Sequence, residues 1–249
     1  MLENVSFTPP IPLDRIGYCG CRFHQEQFTE FAFERYGVHQ PATLFNALAQ
    51  RKSEFLAGRY CSGRALVNLF GRDYRVAVNE DRSPKWPNGI VGSITHHNGH
   101  AAAVVAGSSD YSGLGIDFES LLPFIEAQQM LEHILTDRDM ACEEIRQCGT
   151  RFFVTLAFSA KESLYKALYP VTGQRMGFHD LYIKRVGTNS LTLSLLKTLG
   201  PAWLNGADFE VFYTKYNSEV FTLASLAPER NTRRHGAGLP VSQGRGTLR

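Results

Sequence analysis

Two long stretches of the chain repeat apolar residues at helical spacing. Between Pro41 and Phe70, residues Leu44, Leu48, Phe55, Leu56, Leu66 and Leu69 can share one side, which predicts a helix with a buried face and Gly71 as its stop. From Phe152 to Leu168, residues Leu156, Ser159, Ala160, Leu164, Ala167 and Leu168 do the same, with Pro170 and Gly173 expected to close the helix. Further helical stretches are expected over Phe28–Tyr36 and 121–148. Elsewhere the pattern switches to short apolar or alternating runs bounded by Asn-Gly, Gly-Ser and Ser-Gly turns. These predict strands at Ile90–Ile94, Ala101–Val105 and Gly113–Phe118, and again at Asp180–Arg185, Leu191–Leu196, Phe209–Lys215 and Phe221–Leu226. Residues 1–15, with Pro9-Pro10-Ile11-Pro12, read as an extended lead-in. From Pro228 onward no hydrophobic period survives, and 228–249 reads as a disordered basic tail. The order helix, strands, helix, strands predicts an α+β (or α/β) protein whose halves, 1–115 and 116–227, are similar in plan.

Composition narrows this further. Of 249 residues, 43% are hydrophobic and 20% charged, enough for a real core and a poor match to disordered, collagen-like or coiled-coil chains. No apolar run approaches the roughly 18 residues a bilayer span needs. Five cysteines, an odd number, and the lack of a basic-then-apolar leader point to a reducing, cytoplasmic setting. Cys19-Gly20-Cys21 has no second Cys/His pair at zinc spacing, so a metal or redox site there is not favoured. The formal charge is +2, yet residues 228–249 hold five Arg and one Glu, leaving 21 basic against 23 acidic side chains in the body. Bulk nucleic-acid binding is therefore not expected. Local charge says more: residues 51–85 carry eight Lys or Arg against four acids, a segment suited to an anionic ligand.

Three segments could carry chemistry. Gly113-Leu-Gly-Ile-Asp-Phe-Glu119 puts Asp117 and Glu119 two apart, hence on one side of a strand, where they suit Mg²⁺ completed by water and phosphate oxygens, or are simply solvated acids at an edge. Phe158-Ser-Ala-Lys-Glu-Ser-Leu-Tyr-Lys166 sets Lys161, Glu162 and Lys166 in an otherwise apolar helix. Glu162 and Lys166 at i, i+4 make a surface ion pair or, as interruptions of a buried helix, groups with a task. Arg82-Ser-Pro-Lys-Trp-Pro-Asn-Gly89 leads into a strand ending Ser93-Ile-Thr-His-His97, where Thr95 and His96 are either phosphate ligands or a polar strand end. Arg59 and Arg64 interrupt the apolar pattern of the first helix.

Taken in order, Phe55-Leu-Ala-Gly-Arg-Tyr-Cys-Ser-Gly-Arg-Ala-Leu66, the Arg82-to-His96 segment, Gly115-Ile-Asp-Phe-Glu119 and Phe158–Lys166 resemble the Sfp-type 4′-phosphopantetheinyl transferases, in the branch that includes the enterobactin synthase component D proteins. The resemblance implies that family's fold, two pseudo-symmetric halves with coenzyme A between them. It implies transfer of the phosphopantetheine arm of coenzyme A to a serine of an acyl, peptidyl or aryl carrier protein, as in siderophore biosynthesis, by a cytoplasmic monomer. It assigns Asp117, Glu119 and Glu162 to Mg²⁺, and Glu162 also to the general base. Lys166 falls to phosphate charge stabilisation, its neighbouring family lysine Lys161 is counted with it among the catalytic residues, and Arg59, Arg64, Arg82, Thr95 and His96 fall to the nucleotide and its phosphates. Phe118 stands where the family more often has Ile. Two readings compete with this one: a Mg²⁺-dependent hydrolase of nucleotides or phosphodiesters, and a non-enzymatic coenzyme A-binding module.

Overall fold

The computed structural model describes residues 1–4, 14–142 and 149–228. The expected tail, most of the lead-in and the end of the expected 121–148 helix lie outside the described residues. The strands are β1 Leu2–Asn4, β2 Gly17–Phe23, β3 Ala77–Val78, β4 Pro84–Lys85, β5 Ile90–His97, β6 His100–Gly107, β7 Gly113–Ser120, β8 Leu181–Val186, β9 Ser190–Leu195, β10 Asp208–Tyr216 and β11 Glu219–Leu226. The helices are α1 Ala32–Arg35, α2 Ala49–Phe70, α3 Phe124–Ile134, α4 Asp137–Met140 and α5 Thr150–Thr172. One antiparallel sheet runs β1-β2-β6-β5 and a second runs β7-β11-β10-β9-β8. Each packs on its own long helix, α2 on β2 and β6, α5 on β7 and β11.

Period-two alternation explains how the sheets are buried on both faces. In β6, Ala101, Ala103 and Val105 face α2, while Ala102, Val104 and Ala106 meet Leu114, Ile116 and Phe118 of β7 and Phe221 and Leu223 of β11. The halves therefore share a core, in the layer order helix, sheet, sheet, helix. The sheets part at the turn between Gly107 and Gly113, so β7 belongs wholly to the second half, and the expected division at 115/116 runs through it.

Both halves use the same device to bring helix against strand. A Cβ on Gly17 of β2 would sit 2.6 Å from the Ala65 carbonyl of α2, and one on Gly113 of β7 would sit 2.5 Å from the Ala167 carbonyl of α5. Gly115 is tighter still, its missing Cβ overlapping the Ser163 carbonyl. These glycines let α5 approach close enough for its polar residues to reach β7.

Several boundaries differ from expectation. The first long helix begins at Ala49, because 42–44 forms a separate 3₁₀ turn, and Leu48, the residue before the helix, is 80% exposed rather than buried. Only Ala32–Arg35 of the Phe28–Tyr36 stretch is α-helical. Pro170 lies inside the last turn of α5; the stop is Gly173, in the left-handed region at φ 64°, whose N–H returns to the Tyr169 carbonyl. Strands β1 and β2 went unpredicted: Gly17-Tyr-Cys-Gly-Cys-Arg-Phe alternates too weakly in apolar character to announce itself.

Candidate active site

The site lies where β5 of one half runs beside β7 of the other. Ser93 Oγ accepts the Ile116 N–H at 3.1 Å, and Thr95 Oγ1 donates to Asp117 Oδ1 at 3.1 Å. Asp117 is buried, 4% exposed, rather than at a solvated edge, because α5 covers this face of β7. Lys166 of α5 reaches across to it, its Nζ donating to Asp117 Oδ1 at 2.7 Å and to the Ile116 carbonyl at 3.1 Å. Asp117 Oδ2, by contrast, is buried with no hydrogen-bond partner. A buried, unpartnered carboxylate oxygen is costly unless a cation or donor completes it.

The other two acids flank this pair. Glu119 Oε2 is 2.9 Å from His97 Nδ1, and that hydrogen bond raises the imidazole above the usual histidine range. Glu162, half-buried one turn before Lys166, has its carboxyl pushed up by burial, with Lys166 opposing and Asp117 and Glu119 adding to the rise. Among the described residues no three His, Cys, Asp or Glu side chains form a ready cage for a metal. The donors still fit Mg²⁺, which is commonly held by one or two carboxylates with water and substrate phosphates filling its octahedron. Asp117, with its orphaned oxygen, would be the centre of such a site, with Glu119 and Glu162 close enough for their charges to act on one another.

The basic residues divide into groups. His96 follows Thr95 on β5, and burial holds its imidazole below the usual range while Glu54, 3.9 Å away, pulls it up. Arg51, from the first turn of α2, places Nη1 3.5 Å from His96 Nε2 and 3.8 Å from Glu54. The sequence counted Arg51 only as part of a charged segment. No local pattern singled it out, because its partner His96 is 45 residues away in the chain.

Arg59 lies over the Phe55 ring at 4.8 Å, donates to the Ala77 carbonyl and keeps a buried Nε without a partner. Burial, with the charge of Arg51, brings its pKa down to about 10. Arg59 and Arg64 line a cavity of about 770 Å³ with Tyr36, Tyr60 and Arg75, apart from Lys166. Arg82 lines a second cavity of about 670 Å³ between the halves, together with Trp86, Ser93, Tyr165, Lys166 and Tyr169. Its backbone takes φ 71° in a turn that Asp81 braces through Ser83, and Tyr169 Oη donates to Asp81 at 2.8 Å, tying that turn to α5.

Lys161 does not join the acids. At 1% exposure its Nζ donates to the Ile134 carbonyl (2.7 Å) and to Asp139 Oδ2 (2.8 Å), while Asp139 also accepts from Thr136 and from the Ile183 N–H. Consecutive helix residues point about 100° apart, so Glu162 facing the cleft sends Lys161 into the core. Burial lowers its pKa and Asp139 opposes that fall. This is a structural ion pair joining α4 and β8 to α5, which corrects the expectation of a catalytic lysine.

Two abutting sheet-on-helix halves bring acids, a lysine, a hydroxyl and a histidine together at their junction, and comparison with known proteins gives this arrangement a family. Residues 39–106 match the model of the 4′-phosphopantetheinyl transferase N-terminal domain, and residues 113–222 match that of the 4′-phosphopantetheinyl transferase superfamily. The chain belongs to this superfamily. It is 38% identical to enterobactin synthase component D of Escherichia coli (strain K12) over 128 residues, 51% of this chain and 59% of that one. To 4′-phosphopantetheinyl transferase Svp of Streptomyces mobaraensis it is 32% identical over 141 residues, 57% of each chain. Against enterobactin synthase component D of Salmonella typhi the match is 28% over 212 residues, 84% of this chain and 87% of that one. The chain thus spans less than two-thirds of the length of the first two of these relatives.

Proposed function

We propose that this protein transfers the 4′-phosphopantetheine arm of coenzyme A to the serine hydroxyl of a carrier-protein domain, releasing adenosine 3′,5′-bisphosphate. The observation that carries the reading is the Lys166–Asp117 pair at the seam of the halves, with Asp117 Oδ2 buried and unpartnered beside it. The serine Oγ forms a bond to the phosphorus that carries pantetheine, and the bridging P–O bond breaks toward the nucleotide.

Glu162, whose carboxyl burial makes more basic than an ordinary glutamate, takes the serine proton directly or through a water. Lys166 exchanges part of its hold on Asp117 for the phosphate oxygens, where its charge counters what builds up on the leaving group. Thr95, His96 and Arg51 grip the phosphates from the first half, a hydroxyl and forked cation being apt for that task. Arg59, Arg64 and Arg82 receive the nucleotide. Asp117, Glu119 and Glu162 would hold Mg²⁺, which when bound neutralises pyrophosphate oxygens as the bond to the leaving group breaks.

Enterobactin synthase component D among the relatives makes a carrier domain of that kind of synthase the first acceptor to try. The reaction is assigned to the cytoplasm and to a single chain as the working unit. The test is to incubate the protein with coenzyme A, Mg²⁺ and apo aryl, peptidyl and acyl carriers and read intact masses. A gain of one phosphopantetheine on a carrier is expected. No gain on any would overturn the reading, and nucleotide release without a carrier would favour a hydrolase.

A further inference from the structure

Outside the cleft, three thiols meet. Cys19 and Cys21 are two apart on β2, so both face α2, where Cys61 lies against them. The Cys61 thiol donates to Cys21 Sγ at 3.4 Å and stands 3.5 Å from the Ala101 carbonyl. Cys21 and Cys61 are buried among Ala57, Ala101 and Ala103, and Cys19 is half-buried at the edge of that cluster. A hydrogen bond with Cys61 and, against partial burial, the charge of Arg64 draw the Cys19 thiol below its usual range. Among the described residues these thiols do not form a metal-holding group. Nothing in the transfer reaction uses them.

We propose that Cys19 and Cys61 form a thiol–disulfide exchange site for a low-molecular-weight disulfide. Cys19 is the entry point because it alone of the three is partly open, and Cys61 is the resolving thiol. In the first step the Cys19 thiolate, its proton released to water, bonds to one sulfur of the small disulfide; that disulfide breaks and one small thiolate leaves and is protonated. In the second step the Cys61 thiolate bonds to the Cys19 sulfur, and the second small thiolate leaves. The protein loses two hydrogens and two small thiols are formed, so atoms and electrons balance. Exchange with adjacent Cys21 can then move the bond inward without further oxidation. The product staples β2 to α2, the helix that carries Arg51 and Arg59.

The test uses the full, reduced chain and oxidised glutathione, with alkylation, intact mass and peptide mapping as readouts. Wild type should lose two hydrogens, map to a disulfide that includes Cys61, revert with dithiothreitol and melt a few degrees higher when oxidised, since the bond closes a loop of roughly 40 residues. Cys61→Ala should stop at one glutathione on Cys19, and Cys19→Ser should slow closure at least about tenfold. A disulfide mapped to Cys142 and Cys148, a wild-type protein that halts at the glutathione adduct, or closure that survives Cys61→Ala overturns the proposal. Mapping in the wild type decides the matter even if the alanine variant fails to fold.

Discussion

Asp117 is asked to do two things at once, and its two oxygens divide the work. Oδ1 accepts from Lys166 and Thr95 while Oδ2 points, unpartnered, into a buried space. Asp117→Asn keeps the shape but replaces one oxygen by a donor, so divalent-cation binding should weaken at least about tenfold and turnover fall about 10²-fold or more, measured by Mn²⁺ titration and carrier mass shift. Near-normal cation affinity in that variant would remove Asp117 from the metal site. Glu162 allows a test by pH. Burial favours its protonated form in the folded chain, so the ionised form is resisted, and stability falls as pH rises from the ordinary glutamate range through the raised folded-state pKa. Without added metal, Glu162→Gln should therefore melt higher than wild type at about pH 8, and that gain should shrink as pH drops toward about 4. Its turnover should be lower by about 10²–10⁴ if the carboxylate is the base. A variant that melts lower at high pH would mean that the ionised carboxylate is stabilised rather than resisted.

At the scale of elements, function depends on how closely α5 lies on β7. Gly115→Ala would set a methyl into the Ser163 carbonyl, which the backbone can relieve only by moving the helix that carries Glu162 and Lys166. We expect a loss of about 1–3 kcal/mol or more in stability, read by denaturant unfolding, and a larger proportional loss of turnover than of fold. Lys161 on the same helix should behave in the opposite way. Lys161→Ala strands Asp139 in the core and should cost about 3–5 kcal/mol, while coenzyme A affinity of the folded fraction stays within about twofold of wild type. A normal melt with lost turnover would return Lys161 to the chemistry.

The sequence announced α2, α5 and β5 through β11, because residues buried on one or both faces impose a visible period; the D-x-E spacing likewise placed Asp117 and Glu119 on one side of β7. What it could not announce depends on three dimensions. Whether Lys161 or Lys166 meets the acids is set by a rotation of α5 fixed by Gly113 and Gly115, and Arg51 becomes a neighbour of His96 only once α2 lies along β5. β2 stayed hidden because Cys-Gly-Cys acquires its apolar role only against Cys61 and the alanines of β6.

For the whole molecule, the decisive feature is that the site belongs to neither half alone. Thr95, His96 and Arg51 come from the first sheet and helix, Asp117, Glu119, Glu162 and Lys166 from the second, and the halves meet through the Ser93–Ile116 and Thr95–Asp117 hydrogen bonds over a shared apolar core. On the proposed function, a coenzyme A molecule gripped from both sides would add its binding energy to that seam. Binding to the folded state alone raises stability by RT ln(1 + [L]/Kd), about 2.7 kcal/mol at a hundredfold excess over Kd. Coenzyme A and Mg²⁺ together should therefore raise the melting temperature by several degrees, and by more than the separate shifts combined, because the cation lowers the cost of placing phosphates beside three acids. Scanning fluorimetry of wild type and Asp117→Asn would check this. The variant should keep a coenzyme A shift from the first-half cations and lose the extra shift with Mg²⁺. Equal synergy in both proteins would mean that the cation acts on coenzyme A in solution and not through the carboxylates of β7.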